Sequence, residues 1–330
     1  MARESIKDRQ GNLYMSVIDE QVTVNRATRQ DLNTPEELYL HLLKRCLTRL
    51  VFSEVSGDST VQASGTGAAR RVTYTIVRKT AAPLYRGLMR RAPFIYPLLR
   101  KVIVPLYRAW VRRAPLDPNA RAEGRDWPAD AETMIGMRRL DNIQFCVADV
   151  LRQGVPGDLI ETGVWRGGAT ILMRAVLKAY GDTDRVVWVA DSFQGLPKPD
   201  ARHTPADTGD THFAFDYLAV SADDVKANFA RYGLLDNQVH FLVGWFRDTL
   251  PHAPIERLSV LRLDGDMYES TMDALQALYP KLSVGGYVIV DDYGNLSPCK
   301  AAVDAYRAEH GITEPIERVD WTGVFWQRLR

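Results

Sequence analysis

From residue 158 onward the chain alternates apolar, strand-like runs with helix-length stretches, and each of the first five runs has a glycine or an acid at its last or next-to-last position. The runs are DLIETG (158–163), RVVWVAD (185–191), QVHFLVGW (238–245), LSVLRLDGD (258–266) and GYVIVDD (286–292), with two more near PIERV and GVFWQR. Strands separated by helix-length segments cannot pair as tight hairpins. They must lie parallel, with crossover helices on both faces. The pattern therefore predicts an α/β fold, a Rossmann-like and mostly parallel seven-stranded sheet. In such sheets the C-terminal ends of the strands border the ligand crevice, so these five ends are where functional side chains should gather.

The first end reads Glu161-Thr162-Gly163-Val164-Trp165-Arg166-Gly167-Gly168. Gly163 and Gly167 let a backbone turn tightly and approach a ligand closely. The spacing is GxxxG, not the GxGxxG of a dinucleotide turn, and Glu161 stands where a pyrophosphate would be repelled. A carboxylate here suits a cationic ligand instead, and S-adenosylmethionine carries both an ammonium and a sulfonium. A nicotinamide oxidoreductase is the competing reading of the same crevice. Asp191, at the second end, is placed to accept ribose hydroxyls, with Ser192 and Phe193 after it. At the third, Gly244-Trp245-Phe246 offers adenine a backbone contact and an aromatic wall.

The fourth and fifth ends supply Asp264, Asp266, Asp291 and Asp292. So many carboxylates at one crevice repel one another unless a hard divalent cation such as Mg²⁺ neutralises them. A cation there would hold an acceptor hydroxyl in line with a methyl sulfonium. The competing account for Asp266 is that it caps the helix beginning near Tyr268.

The rest of the chain is of different character. Thr34 or Asn33, with Pro35 behind it, should start a helix through LYLHLLKRCLTRLVF, apolar on one broad face. A Gly/Ser/Thr linker follows. Between Ser59 and Leu116 there is no acid and twelve basic residues, so the remainder of a chain of net charge +1 sums to −11. Arginines alternate with apolar residues there, as in a helix lying on an anionic membrane surface or covering an acidic body. No nucleic-acid-binding motif accompanies it. The expected organisation is an N-terminal helical segment and lid (1–58), a basic amphipathic insertion (59–116) and the α/β domain (117–330). Cys46, Cys146 and Cys299 show no paired spacing, and no apolar run reads as a leader or a span. A cytoplasmic protein is expected, with peripheral membrane contact through 59–116 as an alternative.

The stretches DWPADAETMIGMRRLDNIQFCV, GDLIETGVWRGGA, DSFQGLP, VGWFRDTLP and LRLDGDMYESTMDALQALYPKLSVGGYVIVDDY resemble the macrocin O-methyltransferase family, which methylates sugar hydroxyls of macrolides and related natural products. The resemblance implies a class I methyltransferase fold and S-adenosylmethionine bound at Glu161, Gly163 and Asp191, with Thr162, Gly167, Ser192 and Trp245 around it. It also implies Mg²⁺ at Asp264, Asp291 and Asp292, with Asp264 as general base, and a homodimer. Catechol-type relatives carry a lysine where this chain has Met267, so here an aspartate must take the proton. The basic insertion departs from the family pattern, which leaves the acceptor open between a glycosylated natural product and a glycolipid. A catechol-type acceptor and a membrane-bound scaffold without activity are the further alternatives.

Overall fold

A computed structural model of the chain describes residues 33–51, 118–126, 128, 130–200, 202 and 204–330. The basic segment 59–116 therefore lies outside the described residues. Seven strands form one sheet: β1 (Asp158–Thr162), β2 (Val187–Asp191), β3 (Val239–Val243), β4 (Leu258–Leu263), β5 (Leu282–Val290), β6 (Glu317–Arg318) and β7 (Val324–Gln327). Their order is β3-β2-β1-β4-β5-β7-β6. The first five are parallel and β7 runs antiparallel to both its neighbours. The order reverses between β1 and β4, so their tips part and open the crevice at the centre of the sheet.

Six helices of ten or more residues are described: α1 (Pro35–Leu47), α2 (Met137–Arg152), α3 (Gly168–Ala179), α4 (Ala222–Arg231), α5 (Tyr268–Leu278) and α6 (Ser297–Glu309). Alternation along the strands divides the core in two. Leu159, Val187, Val189, Val260 and Ile289 face α1 to α4, whereas Ile160, Ala190, Leu261, Val288 and Val290 face α5 and α6. The parity rule that one strand residue points up and the next down fixes this division.

The first helix begins as the sequence predicts. Thr34 caps it, its hydroxyl accepting the Glu37 N–H at 3.2 Å, and Pro35 sits in the first turn. It ends at Leu47, earlier than the apolar pattern suggests, because Arg49 turns into the left-handed region at φ 56°. Leu40, Leu43 and Leu47 join the same core as β1, so this helix is part of the body.

Candidate active site

Parity decides which of the strand-end acids can meet. Glu161 pairs in register with Arg262, and Arg262 with Ile289, so Glu161, Arg262 and Asp291 share the sheet face covered by α2. Arg262 is 1% exposed near the C-terminal end of a mostly apolar, fully buried strand. It donates to Asp264 at 3.1 Å and to Asp291 at 2.6 Å, and its Nε lies 3.4 Å from Glu161. From α2, Arg139 donates to the other oxygen of Asp291 and, at 3.0 Å, to Asp320 in the β6–β7 turn. Both oxygens of Asp291 are thus held by guanidinium groups in a site closed to water.

Of the three aspartates the resemblance implies for a metal, Asp291 is paired with arginines here, while Asp264 and Asp292 approach Asp266. Just past β5 the Asp291 N–H still donates to the Leu263 carbonyl at 2.9 Å, and the two adjacent carboxyls diverge, Asp291 to Arg139 and Arg262 and Asp292 to Asp266. Asp291 is engaged by two arginines, which also reach Asp320, Glu161 and Asp264. Asp266 takes its place in the cluster. Ligand oxygens of Asp264, Asp266 and Asp292 lie within 4.8 Å of one another. Burial and the charge of Asp291 push Asp264 well above the usual carboxylate range. Burial and Asp266 do the same to Asp292, and burial with Asp264 pushes Asp266 up to about 7. Asp292 Oδ2 is buried and has no hydrogen-bond partner among the described residues. Crowded acids with an unpartnered oxygen suit a divalent cation.

A single pocket runs from the glycine turn to this cluster. Gly163, Trp165, Asp191, Ser192, Trp245, Asp264, Asp266 and Glu269 all line it, with Gly163 against the Asp264 backbone. Five of the expected site residues, Gly163, Asp191, Ser192, Trp245 and Asp264, therefore come together. Glu161 is buried at 2% exposure beside them, its Oε2 unpartnered among the described residues. Burial pushes its carboxyl up to about 7 against the pull of Arg262. Thr162 and Gly167 do not line the pocket.

The two glycines have reasons the sequence did not reveal. A Cβ on Gly163, at φ +90°, would stand 1.8 Å from the Asp264 carbonyl oxygen, so this glycine makes room for the neighbouring strand tip. Gly167, at φ +84°, makes room for Val225 of α4, where a Cβ would come within 2.9 Å. Asp191 braces the same turn: one oxygen accepts the Val164 N–H at 2.8 Å and the other accepts the Phe193 N–H at 2.7 Å. Burial raises its carboxyl, and these amides oppose the rise. Each oxygen also takes a second, longer bond, one from the Trp165 N–H at 3.4 Å and the other from the Ser192 hydroxyl at 3.4 Å.

Three non-glycine residues around the pocket have left-handed backbone: Trp165 at φ 48°, Phe193 at φ 56° and Asp266 at φ 61°. They follow β1, β2 and β4, the strands whose tips form the site. Residues with side chains seldom adopt this region, and such strain collects at functional sites. It turns Asp266 away from capping α5 and toward Asp292, which disposes of the helix-cap account.

A Rossmann-like sheet of this order, a glycine turn beside a buried acid, and acids at the next strand tip define a methyltransferase. The chain belongs to the macrocin-O-methyltransferase (TylF) family, whose profile matches residues 36–328. It is 58% identical over 212 residues to an 8-demethyl-8-(2,3-dimethoxy-alpha-L-rhamnosyl)-tetracenomycin-C 4'-O-methyltransferase of Streptomyces olivaceus, a match covering 64% of this chain and 81% of the relative. It is 54% identical over 212 residues to a mycinamicin III 3''-O-methyltransferase of Micromonospora griseorubida, covering 63% and 83%. The solved structure of the O-methyltransferase NovP superposes with a TM-score of 0.70 at 44% identity, covering 89% of this chain and all of that one. Among the described residues no helix is long and apolar enough to cross a membrane.

Proposed function

We propose that the protein transfers the methyl group of S-adenosylmethionine to a sugar hydroxyl of a glycosylated small molecule, with a divalent cation such as Mg²⁺ at Asp264, Asp266 and Asp292. The observation that carries this reading is one pocket lined both by donor-type residues at the glycine turn and β2 tip and by two of the crowded carboxylates, Asp264 and Asp266. Glu161 would receive the amino group of the donor, Asp191 its ribose, and Trp245 its base. A bound cation would supply charge to stabilise the acceptor oxygen as it loses its proton. The acceptor oxygen attacks the methyl carbon and the carbon–sulfur bond breaks. The bonding pair stays on sulfur, giving S-adenosylhomocysteine. The hydroxyl proton passes to an aspartate of the cluster. Asp264 shares Arg262, whereas Asp266 has no arginine within ion-pair distance among the described residues, so both carboxylates are placed for that role. The methyltransferase domain is assigned to residues 117–330, with α1 packed against it.

The acceptor is tested by offering the rhamnosylated tetracenomycin and mycinamicin III named for the two relatives. A mass gain of one CH₂ located on the sugar is the expected result. Methylation confined to a catechol, with neither glycoside altered, would overturn the acceptor class.

The buried acid gives a pH signature for donor binding. A carboxyl at about 7 is mostly ionised at pH 8 and mostly protonated at pH 6. Only the ionised form attracts an ammonium, so S-adenosylhomocysteine should bind about tenfold more weakly at pH 6 than at pH 8. Titration calorimetry at the two pH values measures this. Glu161→Gln should weaken binding and flatten the dependence, and an unchanged slope in that variant would remove Glu161 from the donor site.

A further inference from the structure

The segment between β2 and α4 borders the pocket at both of its ends, with Gly195, Leu196 and Pro197 on one and Leu218 on the other. Near the first end it is tied down by Ser192, whose hydroxyl donates to the Gly195 carbonyl at 2.7 Å, and near the last by Trp165, whose indole N–H donates to the Tyr217 carbonyl at 2.8 Å. Its middle is fastened differently. Asp207, 1% exposed, accepts the backbone N–H of Tyr268 at 2.7 Å and that of Glu269 at 3.0 Å. These are the opening amides of α5, the helix that begins immediately after the Asp264–Asp266 turn.

A helix normally takes this cap from its own N-terminal residue. Here that residue is Met267, which makes no side-chain cap bond, and Asp266 is directed at Asp292. The vacancy is filled from a loop 61 residues earlier in the chain. The same turn carries Asp210, which accepts the His212 backbone N–H at 2.7 Å and holds its ring Nδ1 at 2.8 Å. Asp210 lies near enough for its charge to contribute to the rise of Asp266. The loop therefore reaches the edge of the acid cluster, and a carboxylate with no contact to the pocket secures it there.

We propose that Asp207 is a positioning residue for the acceptor: it clamps residues 204–218 to the first turn of α5, fixing the spacing between this loop and the Asp264–Asp266 segment across the acceptor end of the pocket. The proposal rests on the methyl-transfer reading above. Removing the clamp should loosen the acceptor wall while the donor end, built on β1 and β2, keeps its shape.

Hydrogen exchange on the full chain saturated with S-adenosylhomocysteine tests this without an acceptor. In Asp207→Ala the amides of Tyr268, Glu269 and residues 204–218 should exchange about tenfold faster or more, with β1 and β4 amides unchanged. Asp207→Asn should recover part of the protection, because its amide oxygen still accepts an N–H. The dissociation constant for S-adenosylhomocysteine should stay within about threefold in both variants. With whichever of the two glycosides the wild-type chain methylates, KM for that glycoside should rise about tenfold in Asp207→Ala while KM for S-adenosylmethionine and kcat change little. Unchanged loop exchange, or equal rises in both KM values, would overturn the proposal. Failure of the wild-type chain to bind S-adenosylhomocysteine would instead overturn the methyl-transfer reading, and the exchange comparison would still report on the clamp.

Discussion

Asp264→Ala is expected to lower kcat/KM for methyl transfer by about three orders of magnitude or more, the combined scale of lost proton acceptance and lost cation binding. Asp264 is the one residue of the acid cluster that faces the pocket, belongs to the metal-compatible trio and contacts Arg262. Its loss also vacates the space beside Gly163 only in part, since the contact there is with the backbone carbonyl and not the side chain. The fold should survive. The carboxylates here repel one another, and Arg262 keeps Asp291 and Glu161 as partners when Asp264 is gone. The thermal midpoint of the variant in metal-free buffer should equal or exceed that of the wild type. A variant within tenfold of wild-type turnover would remove Asp264 from the chemistry, and one that unfolds would show that its role is structural.

Exhaustive chelation is expected to lower turnover of the unaltered chain by at least about a hundredfold, and Mg²⁺ to restore it. Without a cation the three acids present only negative charge to an acceptor oxygen that must itself become negative. The same experiment has a readout apart from turnover. An ion that binds the folded chain raises its melting temperature, by an amount that grows with the logarithm of the ratio of ion concentration to dissociation constant. Mg²⁺ should therefore raise the midpoint of the wild-type chain and leave that of Asp264→Ala where it was. Full activity after chelation, together with a midpoint indifferent to Mg²⁺, would refute the cation.

The strand tips were legible because apolar runs ending in glycine or acid have one sensible arrangement, and the sheet follows that arrangement closely. Gly163, Asp191, Ser192, Trp245 and Asp264 converge as the tips predict. What escaped was the allocation of charges behind them. Asp291 and Asp292 look equivalent as adjacent letters, yet one turns toward Arg139 and Arg262 and the other toward Asp266. A signal was present: an arginine inside the apolar run LSVLRL has to find buried acids on its own face, and parity names Glu161 and Asp291. The reach of Arg139 from α2, and of Asp207 to α5, depends on how helices and loops pack, which no local pattern records. Nor could the sequence mark Trp165, Phe193 and Asp266 as left-handed, because only the surrounding tips force them into that geometry.

Those three residues have a practical consequence for anyone wishing to make the enzyme more heat-tolerant. Each stores on the order of 1 kcal/mol of backbone strain, yet glycine would not recover it, because Phe193 packs against Phe241 and the Trp165 indole bonds the Tyr217 carbonyl. Stabilising substitutions are therefore better sought away from the three strand tips, where side chain and backbone conformation are bound up together.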